Sequence, residues 1–442
     1  MNINKFNKKI FYFYDFFIKN SVKIFFTPAF IFFISIFLSL GVLVYCELFY
    51  EFSEIAKERL VNEIYLSLIL TPALFWLSTY IHKKYAYNPY GAGLDSVTFS
   101  LKKLQKKPND YNKVSNFIGL KVAIAIIFSS LLSTYAGGSL GREAPSIVIS
   151  VCVVFSLAYY LKKYLLNFEL ETWIYMGYAI GISIAFNAPF SGLIYIIEKV
   201  IKNKSKYYFK ALLLSCIALT ILSALMVNHG PIYFINNFYG LQNNDFYHYL
   251  LITIYCTTLA YLLLKITKFF YLKFIVLNGI KWHFIPIIFG LIVALIGINF
   301  GIYSIGGGIR SVNDALQNND IIHGQQQLIG RYLSTIFTYI SGNAGGLVAP
   351  SIALGNLVGA VYSSFFEIAN FKTMMLIGMV AFLSPVLGTP ITSALVIIES
   401  TEIGVENIFM LITISMISFL TVYILQKIGS FIRAKIFKPN TN

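Results

Sequence analysis

The chain has 442 residues, of which 57% are hydrophobic and 12% are charged, and its formal net charge is +15. Soluble domains carry about 25% charged residues, so a water-soluble globular protein is excluded. The basic residues lie in short segments between long apolar runs, which favours a membrane-topology signal over nucleic-acid binding.

Apolar runs that suit a bilayer recur along the whole chain. A transmembrane helix needs about 20 apolar residues. The first run follows a basic, aromatic stretch without a small-residue cleavage site, so we interpret it as a retained span. The pattern predicts an all-α polytopic membrane protein, whose apolar runs include 27–44, 66–81, 122–135, 147–161, 207–227, 249–264, 284–300 and 408–425.

The distribution of Lys and Arg predicts the orientation. Basic loops face the cytoplasm, whereas 46–63 is rich in acids and 227–250 has no Lys or Arg. We expect a multi-pass protein of the cell membrane, or the inner membrane if the source is bacterial. The expected parts are a basic cytoplasmic segment (1–27), two membrane repeats (28–228 and 229–428) and a short cytoplasmic tail (429–442), with no soluble domain after the last span. The basic segments are 5–23, 102–113, 199–210, 265–281 and 427–438.

Two landmarks recur in the same order, which indicates an internal duplication. GREAPSI at 141–147 is similar to GLVAPSI at 346–352, and NAPFSGLIYIIE at 187–198 is similar to GTPITSALVIIE at 388–399. Within the first copy Pro145 and Pro189 are 44 residues apart, and within the second Pro350 and Pro390 are 40 residues apart. Each glycine-rich stretch followed by proline predicts a helix start, and transporter repeats place such starts at a substrate site within the membrane.

Several helix starts that converge would bind an anion. A helix N-terminus presents unpaired N–H groups and about half a positive charge, so it attracts anions without a cationic side chain. The candidate loops are 91–93, 141–145 and 345–350. We expect the last two to lie within about one helix diameter of each other, roughly 10–12 Å.

Glu143 is an ionisable residue between two long apolar runs. Such residues are functional candidates in membranes. We interpret Glu143 as a tethered anion that occupies the site of a mobile one and frees it on protonation or rotation. The alternative is a structural ion pair between Arg142 and Glu143.

These segments together resemble the CLC chloride channel and transporter family, in its prokaryotic form without CBS domains, over about residues 28–435. GGSLGREAP is similar to the family's GxxGREGP, GGLVAPSIALGNLVG to GGxFxPxxxxGxxxG, and FNAPFSGLIYIIE to FNAPLAGxLFxIEE. The resemblance implies an inverted repeat of tilted and discontinuous helices, a homodimer with one pore per subunit, chloride transport and a glutamate gate at Glu143. It implies anion-binding positions at Gly91, Ala92, Gly93, Gly141, Arg142, Glu143, Gly346, Leu347, Val348 and Ser430.

Three departures from the family pattern bear on mechanism. Ala92 replaces the family's coordinating serine, and the coordinating tyrosine falls at Ser430 or next to Phe431. Lys199 stands where proton-coupled relatives carry an inner glutamate, and an unperturbed lysine with a pKa of about 10.4 does not relay protons at neutral pH. We expect channel-like or weakly coupled transport, although some coupled relatives lack the inner glutamate, and a chloride/proton antiporter with an unusual proton path is the alternative.

Other function classes fit the sequence less well. A membrane-embedded enzyme needs paired aspartates or a nucleophile set, but the aspartates lie in or beside polar loops, and neither histidines nor cysteines show metal-ligand spacing. We therefore expect no enzyme activity, metal or cofactor. A cation or sugar transporter is disfavoured because the special segments are helix starts, and signatures of fluoride transport are not evident.

Glu198 and Glu399 close apolar runs, and we expect them to cap helix ends or hold a subunit interface.

Overall fold

The fold comes from a computed structural model, which describes residues 3–86, 93–106, 111–165, 168–203, 230–236, 246–274, 280–318, 324–368 and 370–436. Over these residues the chain consists of helices joined by short connections. The helices are α1 (Ile3–Asn62), α2 (Ile64–Tyr85), α3 (Leu94–Lys106), α4 (Tyr111–Ile118), α5 (Leu120–Tyr135), α6 (Glu143–Tyr160), α7 (Leu170–Phe186), α8 (Pro189–Asn203), α9 (Phe246–Phe274), α10 (Ile280–Phe300), α11 (Ile309–Asn318), α12 (Gly324–Ile340), α13 (Val348–Phe365), α14 (Phe371–Leu387), α15 (Pro390–Thr401) and α16 (Ile408–Ile436).

Eight segments of the described chain are long and apolar enough to cross a membrane, which confirms a multi-pass membrane protein. Seven of them contain or largely overlap runs expected from the sequence. The eighth, Val348–Phe365, has a lower mean hydropathy of 1.3, because serine, asparagine and glycine interrupt it. The expected run at 207–227 lies outside the described residues.

The expected segment boundaries fall inside helices or outside the described chain. Helix α1 runs through the 27/28 boundary, with Pro28 within it, and α16 continues past residue 428 to Ile436. The boundary at 228/229 and the tail residues 437–442 are not described. Helix α16 continues because the residues around 428 are apolar or basic and compatible with helix, whereas α1 continues in spite of Pro28.

The two predicted repeats show the same sequence of elements. Helices α6 and α7 pack against each other in the first, and α13 and α14 in the second. Helix α7 ends at Asn187 (φ 50°) and α14 at Gly388 (φ 66°), both in the left-handed conformation that ends helices. A proline two residues later starts the next short helix, α8 or α15.

Glu198 and Glu399 cap the helix starts of the opposite repeat. Glu399 of α15 accepts hydrogen bonds from the N–H groups of Phe190 (3.0 Å) and Ser191 (2.7 Å) at the start of α8, and from the Ser191 hydroxyl. Glu198 of α8 accepts from the N–H groups of Ile391 (3.0 Å) and Thr392 (2.9 Å) at the start of α15, and from the Thr392 hydroxyl (2.5 Å). The expected capping role is confirmed, and the caps join the two repeats.

Helices α13 and α14 approach each other at glycines. A Cβ built on Gly355 would lie 2.2 Å from the carbonyl oxygen of Gly378, a backbone atom that cannot rotate away. The two backbones therefore touch directly within the second repeat.

Gly355→Ala should destabilise the protein by about 1–3 kcal/mol, because the added methyl group overpacks this contact. The control is Gly41→Ala in α1, where a Cβ meets nothing within 4 Å and alanine should stabilise the helix by about 0.5–1 kcal/mol. Thermal unfolding in detergent measures both changes. A Gly355→Ala protein at least as stable as the parent would contradict the close backbone contact.

Candidate functional site

The loops that precede α6 and α13 are joined by an antiparallel pair of backbone hydrogen bonds. The N–H of Gly141 donates to the carbonyl of Gly346 at 2.8 Å, and the N–H of Gly346 donates back to the carbonyl of Gly141 at 2.9 Å. Pro145 and Pro350 each occupy the third position of the helix that follows, in the first turn, where a missing N–H removes no helical bond. The expected convergence of these two helix starts is confirmed.

The Glu143 side chain lies against the start of the other repeat's helix. Glu143 is 2% exposed, and its Oε2 accepts a hydrogen bond from the N–H of Ala349 at 3.3 Å. Ala349 is the second residue of α13, so the carboxylate lies at the positive end of that helix dipole. A carboxylate here occupies the position that a small anion would take.

Arg142 does not pair with Glu143 within the part of the chain that the structure describes. Its Nη1 donates to the carbonyl of Cys46 at 3.4 Å, and its Nε is a buried atom that has no hydrogen-bond partner among the described residues. The geometry therefore gives no support to a structural ion pair as the reason for Glu143.

A small cavity of about 10 Å³ reaches the Glu143 side chain from one side. We name it the outer cavity, because residues of the acid-rich segment 46–63 line it. Gly141, Glu143 and Ala349 form part of its wall. The rest comes from Arg142, from α1 and from the glycine-rich segment that leads into α11, and it includes the charged residues Glu54, Lys57 and Arg310. The segment GGGIR at 306–310, whose last two residues belong to α11, thus lines an approach to Glu143.

A larger inner cavity of about 510 Å³ lies on the other side. Gly93, Ala144 and the segment 345–348 line it. Its wall also carries Lys102 from the basic 102–113 segment, and Asp95. Four tyrosines add an aromatic and hydroxyl-bearing surface: Tyr175, Tyr178, Tyr195 and Tyr339.

The wall between the two cavities is only a few residues thick. Glu143 faces the outer cavity and Ala144 the inner one, while Gly346 faces the inner cavity and Ala349 the outer one. The paired loops are therefore the barrier, and the Glu143 carboxylate stands in it.

The remaining sequence-predicted site residues are distributed unevenly. Gly91 and Ala92 lie outside the described residues, whereas Gly93, Leu347 and Val348 line the inner cavity. Lys199 lies in α8 directly after Glu198. Ser430 is exposed in α16, and its hydroxyl donates to the Lys427 carbonyl at 2.7 Å; neither cavity includes it.

Sequence reasoning missed Glu54, Lys57 and Arg310 of the outer cavity and the tyrosines of the inner one. Glu54 and Lys57 are three residues apart on a helix, a spacing that pairs side chains, and this was the available signal. Arg310 follows the GGG triplet with one residue, Ile309, between them. Two of the tyrosines come from α7 and the other two from α8 and α12, so the set meets only through the fold.

The family is shown by comparison with known proteins. The voltage gated chloride channel family matches residues 74–423. This chain therefore belongs to that family, the CLC family. The H(+)/Cl(-) exchange transporter ClcA of Yersinia pestis is 24% identical over 359 residues, covering 76% of this chain and 70% of the relative. An uncharacterized protein of Methanocaldococcus jannaschii is 26% identical over 337 residues, covering 75% of this chain and 80% of the relative.

Solved structures share the fold. A slow cyanobacterial Cl-/H+ antiporter superimposes with a TM-score of 0.75 at 17% identity, covering 89% of this chain and 93% of its own. A CLC-type fluoride/proton antiporter gives a TM-score of 0.70 at 18% identity, covering 88% of this chain and 93% of its own. The expected CLC-like all-α architecture is confirmed.

The two cavities should open to opposite sides of the membrane. We expect a membrane-impermeant maleimide to label Gln105→Cys, at the inner cavity, from the side of the basic loops, and Arg310→Cys from the other side, because both positions are exposed. Both variants are made in a Cys216→Ser background, which alone is the control: Cys216 lies outside the described residues, and Cys46, Cys152 and Cys256 are buried. Labelling of both variants from one side only would contradict the assignment.

Proposed function

We propose that this protein moves small monovalent anions, chloride first, across the membrane through the barrier between its two cavities. The observation that carries the proposal is the Glu143 carboxylate at the start of α13, between the outer and inner cavities. In this reading the carboxylate is the gate. It holds the anion position while closed and leaves it when an anion enters.

The chemistry of the barrier favours an anion over a cation. The paired loops present two helix starts and the N–H of Ala349, which attract negative charge. The side chains within the barrier include no lysine, and Arg142 is held to the Cys46 carbonyl beside it. Partial charges from helix ends bind a chloride ion without trapping it, which suits passage.

The inner cavity supplies the hydroxyl groups that the departures from the family pattern remove. Ala92 brings no hydroxyl, and the Ser430 hydroxyl is bonded within its own helix. Tyr339 comes from α12 and lines the same cavity as the segment 345–348 that starts α13. We infer that a tyrosine of this cavity contacts the anion on the inner side, with Tyr339 the first choice.

Coupled exchange of chloride for protons is the second candidate. The names of two relatives favour it, since one is an H(+)/Cl(-) exchange transporter and the other a Cl-/H+ antiporter. Lys199 favours uncoupled or weakly coupled conduction, because it stands where the CLC resemblance places an inner glutamate, and an unperturbed lysine with a pKa of about 10.4 does not relay protons at neutral pH. We propose weak or absent coupling, in a homodimer such as the CLC resemblance implies.

Glu143→Gln should raise chloride flux several-fold and remove its pH dependence, because an amide is a neutral and weaker competitor for the α13 start. The measurement is chloride efflux from liposomes across a pH series. The matched control is Glu171→Gln, which neutralises an equally buried carboxylate (2% exposed) in the first turn of α7. If Glu143→Gln shows the same chloride flux and pH response as the parent, Glu143 has a structural role.

A chloride gradient should drive little or no uphill proton movement in liposomes. The expected reversal potential under combined gradients follows chloride alone. Lys199→Ala serves as the test of the charge at this position, and it should leave chloride flux in place. Uphill proton movement with a fixed stoichiometry, intact in Lys199→Ala, would establish the coupled alternative.

A further inference from the structure

The outer cavity contains a second carboxylate, and this one is clamped between two cations. Glu54 Oε1 lies 2.6 Å from Lys57 Nζ, and Glu54 Oε2 lies 2.7 Å from Arg310 Nη1. Each oxygen thus has its own cationic partner, one from the same helix and one from α11. The pair of cations holds the carboxylate as it would hold a separate anion.

Because Lys57 is buried, its ammonium group needs a negative charge beside it. The side chain of Lys57 is 3% exposed and that of Glu54 15%, whereas that of Arg310 is 45% exposed. A buried ammonium group is costly without a counter-ion. If the Glu54 carboxylate moves away, another anion is needed between Lys57 and Arg310.

The other acid near these cations is already engaged. Asp314 Oδ2 accepts a hydrogen bond from the Tyr303 hydroxyl at 2.6 Å and lies 3.7 Å from Arg310 Nε. Burial and this contact raise the pKa of Tyr303 to about 12, so the hydroxyl remains a donor at neutral pH. Asp314 is thus held by Tyr303 at the exposed side of Arg310, and no contact joins it to Lys57 among the described residues.

A further positive charge lies behind the loop that lines the outer cavity. Arg331 is fully buried, and its guanidinium donates to the carbonyls of Tyr303, Ile305 and Gly306. These three partners are neutral carbonyls, so the charge of Arg331 adds to the positive potential at the wall. In a low-dielectric environment such potentials reach across several ångströms.

The clamped carboxylate stands on the approach to Glu143. Glu54, Lys57 and Arg310 line the same small cavity as Glu143 and Ala349. An anion that reaches Glu143 from this side therefore passes the two cations first.

We propose that Lys57 and Arg310 form an outer capture site for a small monovalent anion, which the Glu54 carboxylate fills in this structure. An incoming anion displaces Glu54 and is then passed to the position held by Glu143. The proposal rests on the proposed anion transport. The competing role for Glu54 is a purely structural tie between α1 and α11.

Thermal unfolding tests the capture site without relying on transport. In Glu54→Gln the two cations lose their carboxylate, so bound chloride should stabilise this variant more than the parent. We expect chloride to raise the unfolding temperature of the purified variant by several degrees more than that of the parent. Gluconate replaces chloride in the reference buffer. The control is Glu58→Gln, an exposed acid on the same helix that lines neither cavity, and it should respond like the parent. Adding Arg310→Gln to Glu54→Gln should remove the extra response.

Flux measurements test the same site in the membrane. In liposomes, Glu54→Gln should reach half-maximal flux at a several-fold lower chloride concentration on the outer side, and Arg310→Gln alone at a several-fold higher one. Arg310 is half-exposed, so this variant keeps the buried Lys57–Glu54 pair and should fold. Chloride responses of Glu54→Gln and Arg310→Gln that match the parent in both measurements would overturn the capture site. Absent flux in every protein, with the extra chloride stabilisation intact, would count against the transport proposal and leave the capture site supported.

Discussion

The constraint on which the rest of the structure depends is the pair of hydrogen bonds between Gly141 and Gly346. Backbone polar groups inside a membrane must be satisfied by the protein itself, and a break between helices exposes several of them. Here the two loops satisfy each other. That exchange lets α6 and α13 both begin inside the protein, and it brings their positive ends to one place. The glycine contacts between helices and the packing of each repeat keep these starts in position.

Much of this was readable from the sequence, because the residues that make a helix start are few and specific. Glycines before a proline predicted both loops, and the repeated order of landmarks predicted that they would meet. Glu143 stood out because a carboxylate between long apolar runs is costly without a purpose. The capping role of Glu198 and Glu399 followed from their place at the ends of apolar runs. The sequence did not show that each glutamate caps a helix start of the other repeat.

The rest could not be read because it depends on contacts between distant segments. The tyrosines of the inner cavity come from α7, α8 and α12, and no spacing in the chain connects these three helices. Arg310 lies 256 residues from Glu54, so only the fold shows that they are partners. Ser430 is exposed in α16 and lines neither cavity, and its anion-binding role stays a prediction of the family resemblance.

Three carboxylates follow one design, and the differences between them explain which one can act as a gate. Glu143, Glu198 and Glu399 each reach from one repeat to a helix start of the other. Glu198 and Glu399 each accept two backbone N–H groups and a hydroxyl, whereas Glu143 accepts one N–H of the other repeat, at 3.3 Å. Each hydrogen bond to a charged group contributes about 1.5–3 kcal/mol, so Glu143 is the least firmly held of the three. It also lines the outer cavity. In the proposed mechanism, the same interaction locks the repeats together at Glu198 and Glu399 and is reversible at Glu143.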